Sequence, residues 1–141
     1  MLMPDVEVLV KAHLKDAPDH TRYAEWLVDL ATRSEPFALS ESVLQGFLRR
    51  TTKGSAYPDR SSVDQAFAFI DQLLALPTCQ LVHPGPQHWR IFRELCQHPG
   101  VRGKLVGDAV HAATAIENGC EWVTADTDFA RFSPPLRWRH L

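Results

Sequence analysis

Apolar positions along the chain alternate between helical and strand spacing. TRYAEWLVDLATR carries Tyr23, Trp26, Leu27, Leu30 and Ala31 on one helical face. FALSESVLQGFLRRTTKG begins with a short apolar strand, Phe37 to Leu39. Ser40 then caps a helix with Glu41 in its first turn, Val43, Leu44, Phe47 and Leu48 on its buried face, and Gly54 as a stop after Lys53. After a Pro/Asp/Ser loop, SSVDQAFAFIDQLLAL opens on a capping box, Ser62 with Gln65, and offers Phe69, Leu73 and Leu76 to the core. Leu81 and Val82 suit a short edge strand. PGPQHWRIFRELCQH places proline at a helix start and aligns Trp89, Phe92 and Cys96. GDAVHAATAIENGCEWVTAD predicts a helix from Asp108 to Glu117, a stop at Asn118-Gly119 and a strand running into Asp126. The tail SPPLRWRHL predicts a last short strand near Leu136 to Trp138.

The N-terminal LMPDVEVLV admits two readings. Valines 6, 8 and 10 alternate as in a strand, yet the strand could equally end near Asp5 with a helix starting there. Helices alternating with short buried strands predict an α/β domain with a mainly parallel sheet covered on both faces. No linker composition divides residues 1–141, so one domain is expected.

Composition changes this picture little. The chain has 141 residues, 45% hydrophobic and 23% charged, and a formal net charge of -2, so bulk charge offers no nucleic-acid surface; a local basic rim would be enough for a nuclease. Three cysteines, Cys79, Cys96 and Cys120, with no CxxC spacing predict buried, reduced thiols in a cytoplasmic protein. The N-terminus has no export pattern, and no apolar run is long enough to span a membrane. The four tryptophans, at 26, 89, 122 and 138, fall on apolar faces and read as core.

The acids carry the candidate chemistry. In open α/β sheets, sites gather beyond the carboxyl ends of strands. Asp5 lies near the end of the first strand, Glu41 opens the helix after the second, Asp108 opens a later helix, and Asp126 closes the strand that follows, with Asp128 two residues on. Singly, Asp108 reads as a helix cap, and Asp126 and Asp128 as turn formers. Jointly they would raise one another's pKa values unless a hard cation such as Mg²⁺ or Mn²⁺ is held among them. Around such a pocket, Arg49, Arg50, Lys53, Arg90, Arg93, Arg102 and Lys104 are candidate backbone contacts for a nucleic acid. Thr124 could bond Asp126 or a metal-bound water, and His111 is one turn into the Asp108 helix.

Four segments in order, MPDVEVLV, LSESVLQGFLRR, GDAVHAATAIENG and TADTDFARF, resemble the PIN-domain family, and within it the VapC toxins of bacterial toxin–antitoxin pairs. PGPQHWRIFREL resembles the branch common in mycobacteria. The resemblance implies a three-layer α/β/α PIN-like domain and a Mg²⁺- or Mn²⁺-dependent ribonuclease. The implied catalytic residues are Asp5, Glu41, Asp108, Asp126 and Asp128, with Asp5, Asp108 and Asp126 on the metal. It also implies an RNA substrate, a homodimer and a VapB-like antitoxin. Two positions depart from the family pattern: Glu7 stands where an asparagine is common, and Gly46 where a second-helix glutamate is usual, which leaves that role to Glu41. The competing expectations are a PIN-like binding module without catalysis and a phosphoacceptor domain using Thr124 and Lys104.

Overall fold

The computed structural model describes residues 1–53 and 60–141; the predicted stop at Gly54 lies outside the described residues. Strand β1 (Leu2–Pro4) ends where Asp5, in extended conformation, becomes the N-cap of helix α1 (Val6–His13). This decides between the two N-terminal readings. Val6, Val8, Leu9, Val10 and Ala12 are all buried, so α1 is enclosed on nearly every side. Helix α2 (His20–Thr32) buries Tyr23, Leu27 and Leu30. Strand β2 (Phe37–Ser40) is buried throughout, and helix α3 (Glu41–Thr52) starts at once because the Ser40 hydroxyl accepts the Val43 amide at 3.3 Å.

Helix α4 (Val63–Leu74) opens on the expected reciprocal cap. The Gln65 amide donates to Ser62 Oγ at 3.1 Å, and the Ser62 amide to Gln65 Oε1 at 2.9 Å. Its buried residues are Ala66, Ile70 and Leu73, while Phe69 and Leu76 are only partly covered. Strand β3 (Cys79–Val82), helix α5 (His88–Cys96), helix α6 (Lys104–Glu117), strand β4 (Glu121–Thr124), a 3-10 helix over Thr127–Phe132 and strand β5 (Arg137–His140) complete the order.

All neighbouring strands pair in parallel, in the order β3-β2-β1-β4-β5. The chain steps from β1 to β2 to β3 in one direction, then crosses back to β4 and β5. Because parallel crossovers are right-handed, this reversal divides the helices between the two faces of the sheet. Their packing agrees: α1 lies against α2 and α3, α3 against α4, and α5 against α6. The result is a three-layer α/β/α fold. Its switch point lies between β1 and β4, where an open sheet leaves a crevice at its carboxyl edge.

Three expectations are corrected. Helix α6 begins at Lys104, so Asp108 sits one turn inside it and caps nothing. Gly103, at φ 58°, makes the bend that starts the helix, a conformation that disfavours any residue with a Cβ. Helix α5 buries Ile91 and Leu95, leaving Trp89 70% exposed. Of the cysteines only Cys120 is buried; Cys79 and Cys96 are partly exposed. No helix among the described residues is long and apolar enough to cross a membrane.

Candidate active site

The switch-point crevice is a cleft of about 610 Å³ whose walls include Asp5, Glu7, Arg49, Arg50, Lys104, Asp108, His111 and Asp126. Three aspartates, one of them more than a hundred residues along the chain from the other two, thus face one space. Pairing of β1 with β4 brings two of them together: Pro4 is in register with Val123, and the Asp5 amide donates to the Val123 carbonyl at 2.9 Å. Asp108 arrives on α6.

Thr124 ties the two strand ends. Fully buried, its hydroxyl donates to Asp5 Oδ2 at 2.6 Å and accepts the Asp126 amide at 3.0 Å. Thr124→Val keeps the shape and removes both bonds, leaving a buried carboxylate and an amide short of partners. The expected loss is about 2 kcal/mol in urea unfolding at pH 7.

Asp5 is 7% exposed, and its pKa is pushed up to about 6. Burial is the main cause; Thr124 and the Val6 amide pull the other way, and the charges of Asp108 and Glu7 add to the rise. Asp108 is also raised, first by burial and then by Asp126 and Asp128, against Lys104 and Arg131. Its Oδ2 is buried without a hydrogen-bond partner. Asp126 behaves differently. Burial works against its charge, but the Lys104 ammonium at 2.6 Å and the Asp128 amide on Oδ1 at 2.9 Å hold its carboxyl below the usual value.

The other two predicted acids lie outside the cleft lining. Asp128 contributes its amide to Asp126, so the paired aspartates of TADTDFARF form a turn as well as a charge cluster; its carboxylate is 3.5 Å from Arg131. Glu41 points to solvent, 3.6 Å from His83. Glu7 lines the cleft instead and carries an ion pair to Lys11 at 3.2 Å. The sequence marked Glu7 as a departure that would either add negative charge to the site or alter substrate positioning; once Asp5 is the N-cap of α1, Glu7 falls in the first turn beside it. Gly46 lines the same cleft. A Cβ there would fall 2.8 Å from Val6 Cγ2, so α1 packs where a side chain would otherwise project.

His111 lies flat on Trp122, ring centroids 5.6 Å apart, with Nδ1 3.3 Å from Ser42 Oγ. Burial, then Arg49, lower its pKa to about 4, so the ring is neutral at pH 7. Of the basic candidates, Arg49, Arg50 and Lys104 line the cleft, while Lys53, Arg90, Arg93 and Arg102 do not.

The donor set suits a hard divalent cation: carboxylate oxygens only, one of them orphaned, and one carboxyl that resists ionisation because it is buried beside like charges. As they stand, no three His, Cys, Asp or Glu side chains among the described residues are grouped tightly enough to hold a metal ion.

Residues 2–133 match the PIN domain family model. The chain is 42% identical over 140 residues to ribonuclease VapC43 of Mycobacterium tuberculosis, covering 99% of this chain and 95% of that protein. It is 38% identical over 133 residues to ribonuclease VapC25 of the same organism, covering 94% of each. Among solved structures, VapBC2 from Rickettsia felis bound to a promoter DNA fragment superposes with TM-score 0.70 at 22% identity, over 99% of this chain and 97% of the other. VapC20 of M. tuberculosis, described as a sarcin-ricin-loop-cleaving toxin, gives TM-score 0.70 at 14% identity over 94% and 95%. A toxin–antitoxin complex from Klebsiella pneumoniae gives 0.61 at 15% identity over 94% and 93%. The chain belongs to the PIN-domain family and, within it, to the VapC ribonucleases.

Proposed function

We propose that this chain is a divalent-metal-dependent endoribonuclease of the cytoplasm, acting as the toxin of a toxin–antitoxin pair. The observation that carries the reading is the convergence of Asp5, Asp108 and Asp126 on one cleft. These three carboxylates would hold Mg²⁺ or Mn²⁺. Such an ion lowers the pKa of a bound water and neutralises charge growing on the phosphoryl oxygens. The chain's own residues do the positioning. Thr124 fixes the Asp5 carboxylate, the Asp128 amide fixes Asp126, and Arg49 and Arg50 face the cleft where the RNA backbone would lie. His111, neutral at pH 7, offers hydrogen bonding without adding charge. The relatives named as ribonucleases support the reaction class, and the toxin–antitoxin neighbour supports a VapB-like antitoxin as partner. A homodimer belongs to the same reading.

For the fourth carboxylate we place Glu7 ahead of Glu41, because Glu7 lines the cleft and Glu41 faces His83. Glu7→Gln is expected to cut RNA cleavage about tenfold, whereas Glu41→Gln leaves it within about twofold, measured side by side at saturating Mg²⁺. The reading as a whole is tested on a structured RNA. Cleavage appears with Mg²⁺ or Mn²⁺ and stops on chelation. Absence of cleavage in every divalent ion would favour a binding module without catalysis.

A further inference from the structure

Both carboxylate oxygens of Asp126 are already engaged: Oδ1 accepts the Asp128 amide at 2.9 Å and Oδ2 the Lys104 ammonium at 2.6 Å. Lys104 is the first residue of α6, and that turn contains no acidic residue. A cation there sits against the positive end of the helix dipole, an unfavourable placement for a surface lysine with no other purpose. Its electrostatic partners explain it. The ammonium acts on Asp108, Asp126 and Asp128 together, and it lines the cleft with two of them. The pair is also breakable, since the Lys104 side chain is 69% exposed and Asp126 24%.

We infer that Lys104 is the cleft's own counter-cation, and that Asp126 accepts a divalent ion only on releasing it. This rests on the metal-dependent reading above and deepens it. Without metal, Lys104 offsets part of the repulsion among the three aspartates. On metal binding, the two cations compete for the same Asp126 oxygen. The freed ammonium stays on the rim of a cleft also lined by Arg49 and Arg50, where an incoming phosphodiester brings negative charge. Lys104 is thereby a positioning residue, whose contact with substrate is conditional on metal loading.

The test is a calorimetric titration of Mn²⁺ into the full chain, compared with Lys104→Ala and Arg131→Gln. Arg131 is the control because its charge also reaches Asp108 and Asp126, while its ion pair is with Asp128. Lys104→Ala is expected to bind Mn²⁺ about fivefold more tightly, and Arg131→Gln to change affinity by less than about twofold. A second readout needs no activity: the Lys104 ε-methylene NMR signal, identified by its loss in Lys104→Ala, shifts on addition of Mg²⁺. Equal affinity of parent and Lys104→Ala, an equal gain in both variants, or a static ε-methylene signal while Mg²⁺ binds would each overturn the inference and leave the ribonuclease reading standing. No Mn²⁺ binding by any of the three proteins would overturn both.

Discussion

Asp5→Asn is expected to lose about a thousandfold in RNA cleavage while making the metal-free protein more stable. The two effects have one cause. The Asp5 carboxyl is buried among like charges, and its pKa stands at about 6 instead of 3.8. A group raised in this way contributes fully to stability below the unfolded value, near pH 4, and loses that contribution as pH rises through about 6. At pH 7 the ionised carboxylate therefore costs about 3 kcal/mol relative to a neutral isostere. Asparagine removes that penalty and can still accept the Thr124 hydroxyl, but it removes the anionic ligand. Chemical denaturation without metal should show the variant gaining stability over the parent as pH rises from 4 to 7, with cleavage of the same RNA abolished. A variant that is destabilised at pH 7, or that still cuts, would contradict the role given to this charge.

A second large effect is concealed in the parent. His111 shifts the opposite way, its pKa lowered from 6.5 to about 4. The folded protein keeps the ring neutral, so its contribution is full above about pH 6.5 and falls as pH drops toward 4, by about 3 kcal/mol. Asp5 and His111 thus impose opposing slopes over the same window. Asp126 and Glu121, both lowered, lose their contributions only below the ordinary carboxylate range. Asp108, also raised, adds to the Asp5 slope, so the metal-free parent should vary less between pH 4.5 and 6.5 than the acids or His111 would impose alone. His111→Gln removes one slope and exposes the other, so that its stability falls as pH rises. The slope is the measurement, since loss of stacking on Trp122 lowers stability at every pH. Mg²⁺ should stabilise the parent more at pH 7 than at pH 5, because its ligands must be deprotonated. A steep slope in the parent with none in His111→Gln would reverse the assignment.

These two groups show how the fold's layout makes a site from residues that are ordinary in sequence. Asp5 is the cap of a short helix, and His111 one of several polar residues on α6. Each is perturbed because β1 and β4 pair at the switch point and bring α6 over the same crevice. The Lys104–Asp126 pair also depends on this, since 22 residues separate its members.

Much was legible along the chain because the physics there is local. Ser40 and the Ser62–Gln65 pair satisfy amides within one turn, so their residue types alone place two helix starts. The strand running into Asp126 ends at a turn held by Asp126 itself. Where local signals competed, the outcome needed the third dimension. The helix expected from Asp108 starts a turn earlier, at Lys104, because the positive φ of Gly103 sets the bend there. Trp89, Phe92 and Cys96 made a plausible buried face of α5, but the neighbouring stripe of Ile91 and Leu95 meets the core.

The sequence by itself determined the alternation of helices and strands and the positions of acids at strand ends, because caps and hydrophobic periods act over a few residues. Only the tertiary structure decided which acids share a cleft. Glu41 and Glu7 are both first-turn acids after a strand, but α3 aims one at His83 and α1 turns the other toward Asp5. That choice is set by how α1 and α3 pack, Val6 against Gly46, across an interval of forty residues that no local rule spans.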